Sequence, residues 1–186
     1  MKRTFTAIAL LVVLLATAFT FHGCASTVKN VDPTGSPFPA AKGKALDGTE
    51  HALPADFAGA PVVFLVGYVQ GTQFDLDRWV LGLMQSKTPV KIAELPTIDS
   101  LIATAFSSQI DQGMQSGIPS EDWPSVITVY GGEGSKIVAF TGNEKPRNTR
   151  VLLLDAQGKV VWFHDRGYSG GKVLELDARV RELAAR

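Results

Sequence analysis

A chain of 186 residues with a single cysteine, Cys24, can close no disulfide within itself. That cysteine stands so near the start that everything after it is thiol-free, which excludes thiol–disulfide exchange and thiol peroxidation by the remainder alone. Histidine is almost as scarce. A metal site would need His51 and His164 brought together, or joined by carboxylates such as Asp165 or Glu94, and no ligand-spacing motif is present. No G-x-x-x-x-G-K-[ST] phosphate loop occurs; Gly131, Gly132 and Gly134 before Lys136 read as a turn. G-x-S-x-G is missing too, and no cofactor motif is found. Lys plus Arg equals Asp plus Glu at 18 each, so there is no basic footprint for nucleic acid.

What is present begins with Lys2 and Arg3 and an apolar run from Phe5 to Phe21, ending at His22-Gly23-Cys24: the layout of a secretory signal. Gly23-Cys24-Ala25-Ser26 resembles the processing site of a bacterial lipoprotein, with Phe21 departing from the smaller residue usual there. The expectation is residues 1–23 as signal and Cys24 as the acylated residue, carrying chains such as palmitate; an uncleaved anchor is the alternative. Loss of 1–23 removes His22, Lys2 and Arg3, leaving 16 basic and 18 acidic residues, a net charge of −2. Residues 24–42, rich in Ser, Thr, Pro and Gly, read as a flexible tether, with one domain over 43–186.

Within that domain Val62 to Val66 is a short β-branched run suited to a central strand covered on both faces. After it Leu76, Trp79, Val80, Leu83 and Met84 form one apolar helical stripe, with Asp75 and Asp77 at its start favouring the helix dipole. A hairpin with Asp47-Gly48 at its tip precedes, and a second strand over Pro89–Pro96 follows, implying a parallel pair. Ile102, Phe106, Ile110 and Met114 recur every four residues, predicting a second amphipathic helix, stopped by Gly117-Ile118-Pro119. A third strand is expected over Ser125–Tyr130, then a helix over Ser135–Thr141 or a strand over Lys136–Phe140. Val151–Leu154 and Val160–His164 across Asp155-Ala156-Gln157-Gly158 form a hairpin, and Ser169 caps a last helix whose Val173, Leu176, Val180 and Leu183 face inward.

This order, with Leu154-Asp155-Ala156-Gln157-Gly158-Lys159-Val160-Val161-Trp162 as the last hairpin, resembles the thioredoxin-like superfamily in its peroxiredoxin-type elaboration. Val90–Leu95 and Asn148–Asp155 are most similar to the assembly factors of mitochondrial ATP synthase and their bacterial relatives. The resemblance implies an α/β fold, a three-layer α/β/α sandwich with a mixed sheet and an N-terminal hairpin. It also marks two departures. Gln70, Gly71, Thr72 and Gln73 stand where the redox cysteines would be, and Thr149-Arg150 where a proline would face them.

The functional expectation is a membrane-tethered, redox-inactive domain that binds an envelope or membrane protein as assembly factor, chaperone or accessory subunit, facing the periplasm. The resemblance places its partner surface on Tyr68, Gln70, Gly71 and Thr72 with Thr149 and Arg150. Tyr68 and Trp123, on expected loops, are candidates for exposed aromatics. The alternatives are a non-thiol enzyme using His51 or His164 with Asp165 or Glu94, and a small-molecule or metal carrier.

Overall fold

The computed structural model describes residues 27–185; the expected signal and Cys24 lie outside them. Strands β1 (Ala41–Ala45) and β2 (Glu50–Leu53) form the leading hairpin, and β3 (Val62–Gly67) leads into helix α1 (Gln73–Gln85). Then come β4 (Lys91–Ile98), the short α2 (Leu101–Ala105), α3 (Ser107–Gly117), β5 (Ile127–Tyr130) and α4 (Gly131–Thr141). The hairpin β6 (Arg150–Leu154) and β7 (Val160–His164) precedes α5 (Gly170–Ala184). The sheet order is β2-β1-β5-β4-β3-β6-β7. Strands β3, β4 and β5 are mutually parallel, while β6, β7, β1 and β2 add antiparallel pairs on either side.

β3 is buried on both faces because its alternate side chains enter two cores. Val62, Phe64 and Val66 pack with Leu152, Leu154, Leu95, Val129 and Ile137 of α4. Val63 and Leu65 pack on the other face with Leu76, Trp79 and Leu83 of α1 and Val173, Leu176 and Val180 of α5. The layers are therefore helix, mixed sheet, helix. Helix, not strand, follows β5, starting at Gly131 rather than Ser135.

Two elements differ from expectation. The segment over 27–42 is fastened to the domain. Val28 donates its N–H to Asn143 Oδ1 at 2.6 Å and accepts from the Asn143 and Glu144 amides, and Val31 N–H reaches Thr141 O at 3.1 Å. Farther on, Gly35 and Phe38 donate to Val160 O and Gly158 O, and Phe38 is buried edge-on to Phe64 and Phe140. This strap crosses Gly142, whose φ is +71° and where a Cβ would stand 2.2 Å from Lys29 O, so only glycine admits it. β1 then starts at Ala41, inside the span read as tether.

The second difference is the helix after β4. It breaks at Phe106 into α2 and α3, and neither buries a residue fully. The side chains that meet the sheet are polar. Asp111 Oδ1 accepts from Thr128 Oγ1 and Tyr130 Oη at 3.1 and 2.8 Å, and Gln115 Nε2 donates to Leu46 O. The sheet face there presents Thr128, Tyr130 and Glu94, so Asp111 and Gln115 turn toward it, while Leu101, Ile102 and Phe106 stay exposed and Ile110 and Met114 are half-buried.

Candidate functional site

The C-terminal ends of the parallel strands place three loops together, and the start of antiparallel β6 joins them because Val66 pairs with Arg150. The first of these loops carries the Gln70–Thr72 turn, a single turn of 3-10 helix that hands β3 to α1. Thr72 is buried; its Oγ1 donates to Pro146 O at 2.8 Å and accepts from Val69 N–H at 3.3 Å. Gly71 lies against the Arg147 side chain, where a Cβ would sit 3.6 Å from its atoms. Gln70 alone of the three is exposed.

Asp75, in the first turn of α1, does more than oppose the dipole. Its Oδ2 accepts the Thr149 N–H at 2.9 Å and its Oδ1 the Tyr168 N–H at 2.6 Å, tying α1 to the start of β6 and to the loop before α5. Thr149 is consequently buried.

Arg150 is 0% exposed, a fully enclosed cation. Its Nη1 donates to Asn148 O and Lys145 O at 2.7 and 3.2 Å, and its Nη2 to Asn30 Oδ1 at 2.8 Å and to Glu144 O. The guanidinium lies 5.3 Å from the Tyr68 ring centroid, a cation–π distance. Burial pulls its pKa down, opposed by the charges of Asp165 and Glu144 and by Tyr68. Tyr68 is half-buried, its Oη bonded to Thr141 Oγ1 at 2.5 Å and to Ile137 O, and burial raises its pKa to about 12.

The residues expected to form one partner surface thus separate. Thr72, Thr149 and Arg150 are interior, Tyr68 is half-buried, and Gln70 and Gly71 remain accessible. Trp123 is half-buried as well, its Nε1 donating to Ile118 O. The exposed apolar side chains at this end are others: Val69 at 43%, Phe74 at 79%, Leu101 at 80%, Ile102 at 77% and Phe106 at 55%.

The residues of the alternative chemistry do not converge. His51 is on β2 and His164 on β7, opposite edges of the sheet. His51 Nδ1 stands 3.4 Å from Asp56 Oδ2. His164 Nε2 is bonded to Gly167 O at 2.8 Å, and Asp165 Oδ2 accepts from Asn30 Nδ2 at 2.7 Å. His164 and Asp165 line an open polar cleft of about 930 Å³ with Lys145, Arg166 and Lys172. Glu94 lies elsewhere, on the α1 side of β4, where burial and then the Asp77 and Asp122 charges push its carboxyl up to about 7 against hydrogen bonding from Gln73. Among the described residues no group of three or more His, Cys, Asp or Glu is placed to hold a metal.

No family model matches the sequence, and no curated protein matches it. Solved structures do. The thiol peroxidase from Chromobacterium violaceum superposes with a TM-score of 0.58 at 14% identity, over 84% of this chain and 92% of that one. BsSco, of the Sco family of cytochrome c oxidase assembly proteins, gives 0.56 at 13%, over 83% and 98%. The fold is thioredoxin-like. A third structure with this fold, the pneumococcal exposed lipoprotein thioredoxin Etrx1 from Streptococcus pneumoniae, gives 0.51 at 12%, over 76% and 99%.

In this thioredoxin-like frame a strand–turn–helix joint carries Gln70, Gly71 and Thr72 in its turn, with no cysteine among them. The Thr72 hydroxyl and the Asp75 carboxylate fix the joint through the 146–149 loop. Sequence reasoning missed Asn30, Gly142 and Asn143, which hold the strap. Only the asparagines and the glycine themselves signalled them, and such residues fit a loop equally well.

Proposed function

We propose that this protein is a lipid-tethered thioredoxin-like domain of the bacterial cell envelope that binds another envelope or membrane protein, as an assembly factor, chaperone or accessory subunit. The observation that carries the reading is the joint after β3. Strand and helix are joined there by a hydrogen-bonded turn that holds no cysteine, and accessible Gln70 is flanked by exposed Val69 and Phe74. An exposed cluster of large apolar side chains on a rigid fold marks an interaction surface. BsSco, similar in fold and a member of a family of cytochrome c oxidase assembly proteins, supports the class of partner, and Etrx1, an exposed lipoprotein thioredoxin, supports the envelope location.

The contact surface in this proposal is Gln70 and Gly71 with Val69 and Phe74. Arg150, Thr149 and Thr72 hold it in shape from within. Co-purification from native membranes tests it. Phe74→Ser and Val69→Ser with Gln70→Ala should lose the co-purifying protein while the domain stays folded, because these side chains are exposed. Full retention of every partner by that folded variant would defeat the proposal.

A further inference from the structure

We propose that Leu101, Ile102 and Phe106, at the α2 corner of the domain beside the N-terminus of α4, lie in the interfacial layer of the lipid bilayer. This rests on the reading of Cys24 as a lipid-anchored residue.

The strap makes the argument geometric. A flexible tether would leave the domain free to stand off from the membrane, but Val28 is already bonded to Asn143. Only Ala25, Ser26 and Thr27 separate it from Cys24. Four fully extended steps span at most about 14 Å. An acylated Cys24 therefore holds Val28 within about 14 Å of its anchoring point at the membrane surface.

Helix α4 then fixes which face is presented. Its first turn lies at the ends of β4 and β5, since a Cβ on Gly134 would meet Ile98 O and Val129 O at 3.2 Å. Its last turn lies at the end of β3, where Thr141 Oγ1 meets Tyr68 Oη. The helix thus crosses the end of the sheet, with Val28 beside its C-terminus and Leu101 within 4.0 Å of a Cβ built on Gly131 at its N-terminus. Eleven residues at 1.5 Å each put the anchor root about 16 Å from Leu101, along the same end.

The chemistry suits lipid. From Leu101 to Ile110 there is no charged residue, so burying the exposed stripe strips no ion of water. Asp111, next in sequence, is committed to Thr128 and Tyr130 on the sheet. Around the anchor root Lys29, Lys145 and Arg147 are exposed, suited to anionic headgroups. The acidic groups nearby are Asp99, after β4, Glu144, whose carboxylate accepts the Asn30 N–H, Asp165, whose Oδ2 accepts from Asn30 Nδ2, and Asp32 in the same cleft.

The test uses the full-length acylated protein in vesicles of phosphatidylethanolamine and phosphatidylglycerol. Because acylation blocks the one native cysteine, Ile102→Cys or Gln157→Cys supplies the sole free thiol for an environment-sensitive fluorophore. Gln157 is exposed in the β6–β7 turn, at the far end of the sheet. The label at Ile102 should shift its emission to the blue and lose it to lipid-borne quenchers; the label at Gln157 should do neither. Phe106→Cys gives a second, independent reading. Protein that sediments with the vesicles while the labels at Ile102 and Phe106 stay water-like overturns the inference and leaves the anchor standing. Protein that fails to sediment with vesicles overturns the anchor, and this inference with it. A blue shift that lipid quenchers leave untouched would mean a protein partner or a second copy covers the stripe, and would also overturn it.

Discussion

Arg150 carries a full charge into the interior with carbonyls, an amide oxygen and an aromatic face around it rather than a directly bonded carboxylate. Each charge-assisted bond of this kind contributes about 1.5–3 kcal/mol, and losing the cation takes the guanidinium donor from the Asn148 and Glu144 carbonyls, while Lys145 O keeps the Asn148 N–H. Arg150→Ala is expected to destabilise the domain by about 3 kcal/mol or more in denaturant unfolding. Lysine should not rescue it, because one ammonium cannot span the fork that reaches both Asn30 and Asn148. Nothing in the sequence marks Arg150 as interior. An arginine after Asn148-Thr149 reads as a loop-edge charge, and its burial follows from a strap more than a hundred residues earlier.

Glu94 sets a pH dependence at the same scale. Its folded pKa of about 7 lies above the unfolded value near 4.5, so the folded state holds the proton more tightly between these limits. Stability should therefore fall as pH rises from about 4.5 to 7 and level off above that, by at most about 3 kcal/mol. Glu94→Gln should flatten this slope and leave the variant more stable than wild type above pH 7. An unchanged slope in paired unfolding curves would show that Glu94 does not titrate in this way.

At the scale of elements, the strap and the α2–α3 pair make opposite predictions. Phe38 is buried between Phe64 and Phe140, so Phe38→Ala should cost about 3 kcal/mol or more, which truncation in a free tether would not. Gly142→Ala should release the strap, read as lost hydrogen-exchange protection at the Val31 amide. By contrast, Ile102→Ser with Phe106→Ser should leave stability within about 0.5 kcal/mol, since both side chains face outward.

The elements legible in the sequence were those with one strong period and a matching cover: β3, the β6–β7 hairpin, α1 and α5. The stripe Ile102, Phe106, Ile110 and Met114 was equally periodic, but a period states that one face is apolar, not that the domain covers it. The orientation came from Thr128, Tyr130 and Glu94 on the opposing sheet face, which a single strand's residues do not announce. The strap was illegible for a related reason. Its hold on the domain runs through backbone groups and asparagines whose composition is that of a linker.

At the scale of the whole molecule the fold is thioredoxin-like, Thr72 and Asp75 brace the joint between β3 and α1, and no cysteine lies anywhere after Cys24. The joint after β3 was legible because it is local in sequence, whereas the burial of Thr149 and Arg150 depends on long-range packing that the sequence does not show. The central claim is that this end of the domain meets a protein partner. Photo-crosslinking in native membranes tests it most directly, with a probe at Gln70 and a control probe at Gln157. The account predicts one dominant membrane-associated protein captured from Gln70 and absent from Gln157. Equal capture from both positions, or none from Gln70 in a folded and membrane-held protein, would contradict it.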